Sequence, residues 1–316
     1  MPLLIQELSI ISQGEKVMEL STKKDFNQPI EPVEEETISP WIEAWRSFRK
    51  NKLAVAGTVI VLFFILLAVF APLIAPDGIN NQDLTKRLQA PSGENWFGTD
   101  DFGRDVFSRV VFGARISLWV GFLAVTGSMV VGCFLGIIAG YYGKWIDAVI
   151  SRIFDILLAF PSILLAIAIV AVLGPSLRNA LIAIAVINVP NFGRLIRSRV
   201  LSVKQEEYVM AARALGMKNS RILFHHVLPN SVAPIIVQGT LAIATAIIEA
   251  AALGFLGLGA EPPNPEWGKM LSDSKQFLIQ APWTMIFPGL AIMLTVLGFN
   301  LMGDGLRDTL DPRMKI

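Results

Sequence analysis

The run Leu53-Ala-Val-Ala-Gly-Thr-Val-Ile-Val-Leu-Phe-Phe-Ile-Leu-Leu-Ala-Val-Phe-Ala-Pro-Leu-Ile74 carries no charged residue. A hydrocarbon core of about 30 Å takes about 20 apolar residues in a helix rising about 1.5 Å each, so this run reads as a transmembrane helix. Four clear runs of the same kind follow: Ile116 to Tyr141, Ile153 to Leu173, Val232 to Leu258 and Trp283 to Met302. A sixth, about Leu177 to Ile196, is interrupted by Asn188, Pro190, Asn191 and Arg194, but the charge pattern requires it. The expected fold is therefore all-α, a polytopic membrane protein with six transmembrane helices.

Composition agrees. Of 316 residues 53% are hydrophobic and 17% charged, which makes membrane lipid the main surrounding. A net charge of +1 supplies no global basic field, so nucleic acid is not an expected partner. The single cysteine, Cys133, cannot form an internal disulfide and reads as a packed small residue in an apolar run. The first 40 residues are polar, with Glu31, Glu34, Glu35 and Glu36, and show no cleavable signal sequence. Leu3 to Ile11 is a candidate short surface helix.

Six spans put both termini on one side, and the basic residues select which. Of the 27 Lys and Arg, 19 fall on the terminal side and 8 on the other. The layout that follows is a cytoplasmic tail with an interfacial helix over 1–52, a first transmembrane helix over 53–74 and an extracytoplasmic loop over 75–115. A transmembrane core over 116–303 contains a cytoplasmic loop at 197–231, and a cytoplasmic tail covers 304–316. Gly132, Gly136 and Gly140 recur at four-residue spacing in the second span, a packing stripe that lets helices approach closely. Pro161 and Pro190 are expected to kink the third and fourth spans, for gating or as structural bends.

The loop between the fourth and fifth spans is too polar for lipid and too patterned for a linker. Its first helix is expected over Glu206 to Leu215, with Tyr208, Ala211, Ala212 and Leu215 on one stripe at i, i+3, i+4 and i+7. Gly216 suits the left-handed position after a helix end; Asn219 or Ser220 can cap the next helix, and Pro229 closes it. A short helix showing small side chains to the cytosol reads as a knob for a partner's groove.

At this loop the chain resembles the membrane subunits of ATP-binding-cassette importers. Their signature reads Glu-Ala-Ala, three residues, Gly, nine residues, Ile, one residue, Leu-Pro; here Ala211, Ala212, Gly216, Leu228 and Pro229 match. Met210 stands where the pattern has Glu, and His226 where it has Ile, while Glu206 and Glu207 lie about one turn before Met210. Phe97 to Asp105, Ser108 to Leu118, His226 to Asn230, Glu249 to Gly259 and Pro262 to Leu271 are similar to the dipeptide and oligopeptide branch, second-subunit type, together spanning about Trp45 to Pro312. The resemblance implies a type I importer permease in the plasma membrane of a bacterium or archaeon, moving short peptides, with nickel and glutathione importers in the same branch. It also implies a homologous but distinct permease subunit as partner, two cytosolic ATPases that bind the ATP, and an extracytoplasmic peptide-binding protein. Coupling to the ATPases would fall to Glu207, Tyr208, Ala211, Ala212, Leu215, Gly216, Leu228 and Pro229.

Enzyme readings find little support. Gly143-Lys144 lacks the rest of a phosphate-binding loop, Asp101-Phe102-Gly103 stands without other kinase motifs, and no hydrolase or zinc-peptidase motif is present. Adjacent His225 and His226 do not have the spacing of a helical metal pair, so no cofactor or metal is expected in this chain. Asp155 reads as a residue at a helix start, in reach of interfacial water. Glu249 lies deep in the fifth span, where an unpaired charge costs about 2.5–3.5 kcal/mol on insertion scales. It reads either as a translocation-pathway residue or as a structural hydrogen bond across a subunit interface. A secondary transporter working without ATPases is the alternative, although paired midplane charges in repeated halves, its usual marks, are not seen.

Overall fold

The computed structural model describes residues 40–75 and 78–310. The expected surface helix at Leu3 to Ile11, the acidic stretch near Glu34 and the end of the C-terminal tail lie outside the described residues.

Helix α1, Pro40–Lys50, ends at Asn51, whose Oδ1 accepts from the amides of Leu53 and Ala54 at 3.1 and 3.2 Å. That cap starts α2, Lys52–Val69, and a break at Phe70 leads to the short α3, Ala71–Ile74. Helix α4, Val106–Tyr142, begins earlier than the apolar run at Ile116 because the Asp105 carboxylate caps it, accepting from the Ser108 amide at 2.7 Å. There follow α5, Lys144–Leu158, α6, Ser162–Leu173, and α7, Leu177–Val203. The polar loop holds α8, Glu207–Ala214, and α9, Asn219–Ile222. Then come α10, Val232–Phe255, α11, Trp267–Ser274, and α12, Trp283–Leu310. Among the described residues there is one isolated β-bridge, Thr99 to Asp105, and no strand.

Five of these helices are long and apolar enough to cross a membrane, and a sixth span arises if α5 and α6 count together. The expected third span is no straight helix, because α5 and α6 meet at 94°. Pro161 lacks an amide hydrogen and disfavours helical backbone at Phe160, which ends α5 before α6 begins. Pro190, by contrast, remains inside α7. Asp155 consequently lies in the last turn of α5, not at a helix start, and its carboxylate meets Arg194 of α7 at 2.6 Å. Asp147 and Asp155, about two turns apart on α5, meet Arg197 and Arg194 of α7, so two ion pairs hold the two helices together.

The α4–α7 contact organises the core. A Cβ at Gly132 would fall 2.5 Å from the Val189 carbonyl oxygen, at Gly136 2.2 Å from Ile196 Cγ2, and at Gly140 2.9 Å from Val200 Cβ. The glycine stripe is thus the line along which α7 lies against α4. Around it Ala124, Val170, Ile184, Phe192, Ala246 and Leu253 form an apolar layer shared by α4, α6, α7 and α10. Helix α2 packs on α12 by the same device, with Gly57 facing Leu301 and Gly305 facing Ala54.

Candidate functional site

The polar loop is a fixed body. Val209, Ile222 and Val227 are fully buried against Ile196, Val200 and Val203 at the end of α7 and Tyr141 at the end of α4. The Tyr141 hydroxyl donates to the Asn219 side chain, and Lys204 Nζ donates to the Tyr141 carbonyl oxygen at 2.8 Å. Gly216, with φ at +76°, ends α8 in a six-to-one turn: the Met217 amide donates to the Ala212 oxygen and the Gly216 amide to the Arg213 oxygen, both at 3.0 Å. The second helix starts at Asn219 itself, with the Lys218 carbonyl oxygen accepting from the Arg221 and Ile222 amides, so Asn219 is its first residue and not its cap; it passes into a π-turn at Leu223–Val227 and a 3-10 turn at Pro229–Ser231 before α10.

The expected stripe on α8 divides. Ala212 is only 7% exposed and packs inward beside Val209, whereas Tyr208 is 45% and Leu215 87% exposed, with Ala211 between them on the outer face. The reason is the register of Val209 and Ala212, three residues apart, which presents the branched side chain to the Ile222 and Val227 layer. Glu206, Glu207 and Met210 are exposed, Pro229 is exposed and Leu228 half-buried. His226 lies against the Tyr208 ring with centroids 5.6 Å apart.

Glu249 is 7% exposed and faces into its own chain, since Ala246 and Leu253 on the same side of α10 lie in the central apolar layer. Its Oε2 accepts from Asn188 Nδ2 at 3.0 Å, and Asn188 also donates to the Ile184 carbonyl oxygen. The Ser162 hydroxyl is a second partner. A carboxylate thus ties α10 to α7, two residues before Pro190, and to the first residue of α6 after the break. Sequence reading noted Asn188 as an interruption and missed that it answers Glu249; two polar residues in otherwise apolar spans were the available signal.

At the opposite end of α4 stands a group that sequence reading did not pick out. Arg104 Nε lies 2.7 Å and Arg109 Nε 3.4 Å from Asp100 Oδ2. Burial, with Asp100 adjoining, pushes the Asp101 carboxyl above its usual range. Glu266 is 2% exposed and caps α11, accepting from the Gly268 and Lys269 amides at 2.8 Å. Burial raises its carboxyl, against the lowering effect of those two amides. Among the described residues no set of three His, Cys, Asp or Glu side chains gathers as a metal site.

Residues 132–316 match the family model "Binding-protein-dependent transport system inner membrane component", and residues 39–91 match "N-terminal TM domain of oligopeptide transport permease C". The dipeptide transport system permease protein DppC of Alkalihalophilus pseudofirmus is 66% identical over 278 residues, 88% of this chain and 91% of that protein. The glutathione transport system permease protein GsiD of Escherichia coli is 49% identical over 278 residues, 88% of this chain and 92% of that protein. In fold the chain is similar to an inward-facing structure of the MetNI methionine ABC transporter, with a TM-score of 0.53 at 19% identity over 64% of this chain and 96% of that one. The chain belongs to the binding-protein-dependent inner membrane components of ABC importers, in their peptide-permease branch.

Proposed function

We propose that the chain is one of two non-identical permease subunits that import short peptides across the plasma membrane. ATP is bound and hydrolysed by two cytosolic partner subunits, and a peptide-binding protein delivers cargo from outside. The observation that carries the coupling part is the knob: a helix held by a buried apolar layer on one side exposes Ala211 and Leu215 on the other, with Tyr208 partly exposed beside His226. Such a face suits a groove on an ATPase, with Gly216, Leu228 and Pro229 shaping its base and Glu206 or Glu207 supplying the acid absent at Met210. The peptide reading is supported by the 66% identity to a dipeptide permease, and the glutathione permeases keep a modified tripeptide as second candidate. Reconstitution with the partner subunits tests it: dialanine uptake should require ATP and the binding protein together. Uptake of neither dialanine nor glutathione would end the peptide reading.

Both termini and the α8 knob are placed in the cytoplasm on the strength of the 19 to 8 division of basic residues. Single cysteines at Ser92 and Lys218, both exposed, in a Cys133→Ser background read this out. A membrane-impermeant thiol reagent applied to intact cells is expected to label position 92 alone; labelling at 218 reverses the orientation.

Glu249 is proposed as a pathway residue whose carboxylate offers the peptide ammonium a transient partner. Its hydrogen bonds run within the chain, so Glu249→Gln keeps an acceptor for Asn188 and removes only the charge. Uptake of free-amine peptides should then fall more than uptake of N-acetylated ones, with assembly unchanged. Equal slowing of both, with loss of the complex in detergent, would mark a structural carboxylate instead.

A further inference from the structure

Between the loop after α3 and the first turns of α11 lies a half-open cavity of about 490 Å³, within the range of small-ligand pockets. Arg104, Arg109, Lys269 and Lys275 line it together with Asp101 and Asp273. The two guanidinium groups are held in place. Both share the Asp100 carboxylate; Arg104 also lies over the Phe102 ring at 4.5 Å, and Arg109 donates to the Ile79 carbonyl oxygen at 3.3 Å. Their side chains are only 8% and 4% exposed. Lys269 pairs with Asp273, while Lys275 has no carboxylate partner among the described residues and lies over the Phe255 ring at 6.0 Å.

Even with Asp100 counted behind the wall, four cations face three acids. Arg104 also lies 3.9 Å from Asp101 Oδ1, so the excess cation is the exposed Lys275, and a guest carboxylate gives it the partner that the chain does not. Fixed guanidinium groups also hold a carboxylate with little ordering cost. Asp101 and Asp273 line the same cavity, and although each already has a cation beside it, their remaining carboxylate oxygens can accept from an ammonium group. We propose that this cavity binds a small zwitterion, an amino acid or very short peptide with free ends. It rests on the peptide reading only for the identity of the guest. The wall also adjoins the helix that carries Glu249: Gly268 of α11 sits so close to α10 that a Cβ there would fall 2.3 Å from the Ala251 carbonyl oxygen, two residues beyond Glu249.

Saturation-transfer NMR on the complete importer in nanodiscs, without ATP or binding protein, tests the site with dialanine and with N-acetyl-dialanine amide. Dialanine should receive transfer and the capped compound should not. Ser272→Trp, which fills the cavity, should abolish transfer, and the exposed Lys275→Ala should weaken dialanine by about fivefold, the size of one partly screened charge contact. The proposal falls if the capped compound performs equally or if neither variant changes the transfer. It falls also if Lys275→Ala weakens association of the binding protein while dialanine transfer stays intact, since the cavity is then a docking socket. Dialanine uptake is followed in parallel: transfer that persists without uptake upholds the site and removes the peptide cargo, whereas uptake without transfer removes the site.

Discussion

Gly136→Val is expected to leave no well-folded permease. The new Cβ would fall 2.2 Å from Ile196 Cγ2 and 2.3 Å from the Gly193 carbonyl oxygen, both on α7, and Ile196 is fully buried. Neither obstacle is the free end of a flexible side chain, so α7 itself must withdraw. Overpacking in a rigid core costs about 1–3 kcal/mol, and more where backbone must move. Withdrawal would also loosen the knob, because Ile196 and Val200 form its floor. Fluorescence-detected size exclusion of a tagged chain should show the monodisperse peak lost. Gly127→Ala is the control on the same helix, since its Cβ would meet only Ala185 Cβ at 3.7 Å, an ordinary contact. A wild-type profile for Gly136→Val would mean that α4 and α7 do not depend on close approach.

The second large effect separates the two neighbouring alanines of the knob. Ala212→Glu puts a carboxylate at a position only 7% exposed on the buried side of α8, an unpaired buried charge that costs about 3–5 kcal/mol, so the knob should lose its own structure. Ala211→Glu stands on the exposed face and should fold normally. Its charge would nevertheless enter any desolvated contact with a partner, and uptake is expected to fall at least about tenfold for each 1.4 kcal/mol of lost docking. Copurification of the ATPases should drop while the membrane level of the subunit holds. If Ala211→Glu imports at the normal rate with its ATPases bound, the outer face of α8 is not the coupling surface. Gly216→Val should cause a smaller loss, because nothing lies within 4 Å of its Cβ and the penalty is the left-handed backbone alone, about 1–2 kcal/mol.

The spans were legible because long apolar runs have few other solutions in lipid, and the glycine stripe because spacing by four places small residues on one helix face. Helix ends were less so. Asp105 carries α4 past the end of its apolar run, and hydropathy sums over Ile153 to Leu173 are blind to a 94° break although Pro161 marks its place. The knob was legible in its helix and its glycine turn. Its inward side was not, since the choice between Ala211 and Ala212 depends on Ile222 and Val227 arriving from further along the chain. The Asp100, Arg104 and Arg109 group escaped notice for the same reason: each reads alone as an ordinary loop or helix-start charge, and only the fold gives two guanidinium groups one carboxylate.

Helix α4 is an unbroken 37 residues, about 55 Å at about 1.5 Å per residue, well beyond the roughly 30 Å of hydrocarbon it crosses. One end carries Arg109 and the other Tyr141, so the charged group beneath the cavity and the clasp on the knob are the two tips of one rod. Leverage follows from length alone. By the same rise per residue, a tilt of about 5° pivoting at one tip displaces the other by about 5 Å, roughly one helical turn, with no hinge along the way to absorb it.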